Sequence, residues 1–152
     1  MSESKAAKAH AIGINHVAIE VGDIADALAF YGKFLAFTVD EQTPEMAIVY
    51  FGDQFINFIQ NPDRKPDIAR HFGIAVDDKP LARKTLESMG VKLLDSRFLD
   101  FMDPWGNRVE ITTYTNIQYT KADHVLRGMG LGHLQKSDEA LAELRAKGMA
   151  PE

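Results

Sequence analysis

Two histidines stand at matching places in a repeat. The stretch His16-Val17-Ala18-Ile19-Glu20-Val21-Gly22-Asp23 aligns with His71-Phe72-Gly73-Ile74-Ala75-Val76-Asp77-Asp78 at a constant offset of 55 residues, and His, Ile, Val and Asp recur at four of the eight positions. A second alignment lays Gly52-Asp53-Gln54-Phe55-Ile56-Asn57-Phe58 over Gly106-Asn107-Arg108-Val109-Glu110-Ile111 with one residue deleted, which sets Asn57 opposite Glu110. Repeats are read before any other feature of a fold. Two copies are too few for a solenoid, so they are expected to pack as halves of one domain, with a pseudo-two-fold axis that turns His16 toward His71.

A lone strand histidine is usually structural, and a lone strand glutamate is usually solvated. His16, His71 and Glu110 carry more weight together, because they occupy equivalent strand positions in the repeat. The neighbours of each on its own face are small or polar: Ala18 after His16, Gly73 and Ala75 after His71, Thr112 after Glu110. The opposite faces are bulky and apolar, so a cavity lined by the polar face is expected. A carboxylate in such a cavity is costly unless compensated. A divalent metal ion held by two imidazoles and one carboxylate would compensate it. That ligand set leaves coordination positions open and suits ferrous iron (Fe2+) first, with Mn2+, Ni2+, Co2+ or Zn2+ as alternatives. An open position accepts water or a bidentate substrate, which the metal polarises as a Lewis acid.

The elements that must position these groups follow the same order twice. Residues 14–21 alternate as a strand, with Val17, Ile19 and Val21 on one face and Ile14, His16, Ala18 and Glu20 on the other. Asp23 caps a helix through Ala25, Leu28, Ala29, Tyr31 and Phe34. Residues 35–39 read as a strand, residues 46–51 and 55–60 as a hairpin about Gly52-Asp53, and residues 61–68 as a linker. In the second copy, residues 71–76 are a strand, and Asp78 precedes a helix with Pro80 in its first turn, ending at Gly90. Residues 91–94 read as a short strand, and 98–102 with 108–114 as a hairpin about Asp103-Pro104-Trp105-Gly106-Asn107. Beyond them, residues 139–147 favour a helix closed by Gly148, with Ser137 and Asp138 as caps and Leu141 and Leu144 on one face.

The 152 residues amount to about one domain. The 45% hydrophobic and 26% charged content is that of a soluble globular chain. A net charge of −5 argues against a nucleic-acid surface, and no apolar run approaches a membrane span. With no cysteine there are no disulfides, thiolate sites or thiol nucleophile, which fits a cytoplasmic location.

The stretch Ile14-Asn15-His16-Val17-Ala18-Ile19-Glu20-Val21, the helix with Phe30-Tyr31, and Asp103-Pro104-Trp105-Gly106-Asn107-Arg108-Val109-Glu110-Ile111 resemble the vicinal oxygen chelate superfamily, which includes glyoxalase I, extradiol dioxygenases and bleomycin-resistance proteins. The resemblance covers about residues 12–115. It implies an α+β fold of two paired βαβββ modules around an open, cup-shaped mixed sheet, usually as a homodimer. It also implies metal ligands from the first and last strand of each module, which fall on His16, Asn57, His71 and Glu110. Glyoxalase I carries a carboxylate where Asn57 stands, whereas the His, His, Glu set is similar to extradiol dioxygenases and fosfomycin thiol transferases. Extradiol dioxygenases add an acid–base histidine or tyrosine, for which Tyr50 and Tyr114 are the candidates.

The resulting expectation is an N-terminal tail (residues 1–12), a domain over residues 13–116 with modules at 13–61 and 69–116, and a helical extension over residues 117–152. His16, His71 and Glu110 are the metal ligands, Glu110, Tyr50 and Tyr114 the catalytic groups, and Asn57, Arg97 and Phe101 the substrate contacts. The expected function is a metal-dependent enzyme acting on a small substrate chelated through vicinal oxygens, first an extradiol-type dioxygenase. A lyase, isomerase or epimerase, or a non-catalytic ligand-binding protein, are the alternatives.

Overall fold

The computed structural model describes residues 16–52 and 54–151, except for the side chains of residues 68 and 69. The expected N-terminal tail, residues 13–15 and Asp53 of the first hairpin turn lie outside the described residues. The first module comprises β1 (His16–Val21), α1 (Ile24–Tyr31), β2 (Thr38–Gln42), β3 (Met46–Phe51) and β4 (Gln54–Gln60). Its strands form a sheet in the order β1-β4-β3-β2. The second comprises β5 (Asp67–Val76), α2 (Lys79–Ser88), β6 (Leu99–Met102) and β7 (Asn107–Thr113), with the sheet order β5-β7-β6. Both sheets are mixed and open: β1 runs parallel to β4 and β5 parallel to β7, while the hairpins are antiparallel.

Strand alternation sorts the residues as the sequence pattern requires. Ile19, Val21, Ala47, Val49, Ile56 and Phe58 of the first sheet are buried, as are Ile74, Leu99, Phe101, Val109 and Ile111 of the second. They share one core with Ile24, Ala27 and Tyr31 of α1 and with Ala82 and Leu86 of α2. Both helices start as expected. Asp23 accepts the Asp26 amide at 2.9 Å and Asp78 accepts the Leu81 amide at 2.9 Å, each satisfying a first-turn donor.

Three expectations need correction. Residues 91–94 form no strand; they contribute a single bridge between Leu93 and Phe101. Val91 is still tied to the end of α2 through the Leu86 carbonyl, and Leu94 bonds to the Asp100 carbonyl just before the chain bends. The strand expected at residues 35–39 begins only at Thr38, because the Leu35 amide continues the helix end by donating to Tyr31. Asp67 and Ile68, assigned to the linker, already belong to β5.

The chain then forms a 3₁₀ turn (Tyr114–Asn116), α3 (Asp123–Gly128) and α4 (Asp138–Ala146). Ser137 caps α4 by accepting from Ala140 at 3.2 Å, and Ala140 and Leu144 are its buried residues. The extension touches both modules. The Lys136 ammonium lies 3.6 Å from the centre of the Tyr114 ring and donates to the Tyr114 and Ile117 carbonyls at 2.5 and 3.0 Å. Met129 packs so close to Gly52, at the first hairpin turn, that a Cβ there would lie 2.5 Å from its sulfur.

Candidate functional site

β1 and β5 are each the outer strand of their sheet. They face one another across a cleft of about 580 Å³, lined on one side by Val17 to Glu20 and on the other by His71, Phe72 and Arg108. At one end the two modules are sewn together: the Glu20 carbonyl accepts from Arg64, in the segment between β4 and β5, at 3.0 Å and from the Asn107 side chain of β7 at 2.9 Å.

The repeat alignment is visible in the register. His16 pairs with Phe55 and Ala18 with Asn57; correspondingly His71 pairs with Arg108 and Gly73 with Glu110. Asn57 is therefore diagonal to His16 on one sheet as Glu110 is diagonal to His71 on the other. The His16 ring stacks on Phe55 at 4.6 Å, nearly parallel, and Tyr50, in register with Phe55 on the next strand, packs against the same ring at 5.3 Å.

The fit of this set to a metal ion turns on two observations. The Asn57 Oδ1 atom is buried without a hydrogen-bond partner, and so is Oδ1 of Asp100, which stands directly opposite Glu110 on β6. Buried polar atoms normally have a partner, so both are donor atoms suited to a cation. Yet among the described residues no three histidine, aspartate or glutamate side chains come together as ligands of one ion. The groups stand as two half-sets, His16 with Asn57 and His71 with Glu110, and do not by themselves assemble a three-ligand centre.

The remaining expected residues fall in different places. Phe101 is corrected: it is fully buried on the core face, against Phe30 and Phe34, because alternation in β6 gives the cup face to Asp100 and Met102. Tyr114 is buried, and its hydroxyl accepts the Lys121 amide at 3.1 Å and bonds Thr120 at 3.2 Å, so it pins the extension. Arg97 is exposed in the bend before β6, with its guanidinium 5.7 Å from the Phe98 ring centre.

Two features escaped sequence reading. One is Asp100, completely buried, whose Oδ2 receives Arg108 through Nε at 2.9 Å and through a terminal nitrogen at 2.5 Å. An acidic residue between Leu99 and Phe101 in a strand was the signal for it, since alternation puts that carboxylate on the cup face. The other is a buried network about Asp103. Its Oδ1 accepts the Trp105 and Asn107 amides at 3.0 and 2.7 Å, while Oδ2 accepts the Asn107 side chain at 2.7 Å and the Tyr31 hydroxyl at 2.8 Å. Burial first, and the Asp103 carboxylate second, raise the Tyr31 hydroxyl well above its ordinary value of 10.0.

Comparison with known proteins places this architecture. Residues 13–111 match the family model described as Glyoxalase/Bleomycin resistance protein/Dioxygenase superfamily. The comparison with curated proteins finds no match. Among solved structures, a lactoylglutathione lyase from Agrobacterium tumefaciens is 18% identical with a TM-score of 0.55, over 68% of this chain and 95% of that one. An integron cassette protein from the mobile metagenome of V. cholerae is 23% identical with a TM-score of 0.56, over 70% and 98%. A variant of the fosfomycin resistance protein FosX from Listeria monocytogenes, complexed with Mn(II) and 1S,2S-dihydroxypropylphosphonic acid, is 12% identical with a TM-score of 0.60, over 68% and 93%. At these identities the neighbours share the fold with this chain. The match over residues 13–111, on two modules joined across a common core, means that the chain belongs to the glyoxalase/bleomycin resistance protein/dioxygenase superfamily.

Proposed function

We propose that this protein is a divalent-metal-dependent enzyme, acting as a homodimer, that takes a small substrate into the cleft between β1 and β5 and binds it through vicinal oxygens. His16, His71 and Glu110 are its metal ligands, and Tyr50, which packs on the Phe55 ring that His16 stacks against, is the acid–base group. The observation that carries this reading is the matched diagonal register of His16 with Asn57 and of His71 with Glu110, together with the orphaned Asn57 Oδ1. A member of the fold holding Mn(II) with a dihydroxylated phosphonate supports it. Asn57 is neutral, which favours extradiol-type cleavage of a catechol-like compound on ferrous iron over a reaction that needs a second carboxylate. Lyase, isomerase or epimerase chemistry is the next to assay.

The test is metal content by mass spectrometry on protein purified without oxygen or chelator, alongside His71→Ala. About one iron per chain, lost in the variant, supports the dioxygenase assignment; manganese, nickel, cobalt or zinc directs assays to lyases and isomerases. A chain that takes up no metal even after reconstitution overturns the reading. A second reading, a non-catalytic module that sequesters a small ligand, is favoured by the separation of the ligand half-sets among the described residues. Ligand binding indifferent to chelators would establish it.

A further inference from the structure

The cleft has a charge that the whole chain does not. The protein carries a net charge of −5, yet four of the residues lining the cleft are Arg64, Lys65, Arg70 and Arg108, against the carboxylates of Glu20 and Asp67. Local pairing accounts for some of them. Arg70 pairs with Asp67 and Arg108 with Asp100, while the Glu20 carboxylate accepts from the Asn61 side chain at 3.0 Å. Arg64 is held differently. It donates to the Glu20 carbonyl at 3.0 Å, to the Lys65 carbonyl at 3.0 Å and to the Asn107 side-chain oxygen, all uncharged acceptors. Among the described residues no carboxylate lies within ion-pair distance of Arg64 or of Lys65.

The geometry points to an oxyanion subsite at Arg64 and Lys65, so that the substrate of the cleft carries a carboxylate, phosphate or phosphonate group in addition to the oxygens facing His71. A half-buried guanidinium whose direct hydrogen bonds go to neutral oxygens is oriented without a direct ion pair, the nearest carboxylate in its network, Asp103, being reached only through the Asn107 side chain. Its charge is stronger in a concave, partly dry site than on an open surface. Because its rotamer is already fixed by those bonds, an anion gains a charge-assisted contact without the full entropy of ordering the side chain. Lys65, the next residue, adds a second, exposed charge to the cleft lining. The inference rests on the cleft being the substrate site proposed above, but not on the identity of the metal.

The test uses the full chain stripped with chelator, titrated with inorganic phosphate and separately with propionate, and followed by amide and arginine side-chain NMR signals. Saturable shifts centred on Arg64, Lys65 and Asn107 are expected, weakened about fivefold in Lys65→Met, the size of one exposed ionic contact. Binding of only one probe supports the subsite and names the class of anion. Shifts that do not saturate, or affinities unchanged in both Lys65→Met and Arg64→Gln, overturn it. Lys65→Met keeps the test decisive if Arg64→Gln disturbs the seam. Repeating the titration on His71→Ala separates the two readings: anion binding that survives there while metal is lost shows the subsite standing by itself, and metal uptake with no anion binding sinks the subsite alone.

Discussion

Single residues in this protein have two kinds of work, and substitutions separate them. Under the metal role proposed for Glu110, Glu110→Gln keeps the side-chain shape but removes the anionic donor, so turnover is expected to vanish while the melting temperature stays put. Arg108 and Asp100 behave otherwise. Removing the cation in Arg108→Met leaves a fully buried carboxylate without its partner, at an expected cost of about 3 kcal/mol in chemical denaturation. Tyr31→Phe deletes one donor to the buried Asp103 carboxylate and should cost about 1–2 kcal/mol. The same hydroxyl gives a pH signature. Its folded-state pKa lies above the unfolded value of 10.0, so its contribution is complete below pH 10.0 and is lost as the pH rises past it, when only the unfolded chain ionises. Wild-type stability should therefore decline above pH 10.0 more steeply than that of Tyr31→Phe.

Among the elements, the turn at residues 103–107 decides most. Asp103 gathers the turn amides, and the same carboxylate receives Tyr31 from α1, so one side chain both closes the second hairpin and docks the first module's helix. Gly106 completes the turn at φ +82°, and a Cβ there would stand 2.6 Å from Pro66, just before β5. Left-handed strain and a backbone clash act together, so Gly106→Ala should cost about 2–3 kcal/mol in denaturant titration. Gly90, also at positive φ but with nothing within 4 Å of its Cβ position, should lose only the conformational part, about 1 kcal/mol.

At the scale of the whole molecule, the extension is the joint that local patterns do not reveal. Lys136 clamps it to Tyr114 just after β7, and Met129 rests on the first hairpin, so the extension bridges the two modules. Lys136→Met should loosen this bridge, and faster cleavage between residues 117 and 137 in limited proteolysis would register it. Burial lowers the Lys136 amine from 10.5 to about 8. Between those values the unfolded chain holds a proton that the folded chain has released, so stability from this group rises with pH across that window. That slope should disappear in Lys136→Met. No helix among the described residues is long and apolar enough to cross a membrane.

Much of this molecule was legible in its residues. The repeat set the two modules, strand alternation sorted cup-facing from core-facing positions, Asp23, Asp78 and Ser137 marked helix starts, and the aligned hairpins put Asn57 and Glu110 in equivalent places. These are local signals, written in periodicity and in hydrogen bonds within a few residues. The strand expected at residues 91–94 failed because the Leu86 carbonyl and the bend at Asp95 compete locally with pairing. Phe101, expected as a substrate contact, is buried on the core face, because alternation in β6 turns Asp100 and Met102 the other way. Only the tertiary structure decided that the ligand candidates stand as two half-sets, that Asp100 is buried with Arg108, and that Arg64 stands among neutral acceptors. Each of these depends on chain segments far apart in sequence meeting in one packed core, and neither the spacing nor the type of a residue reports which distant neighbour it will find.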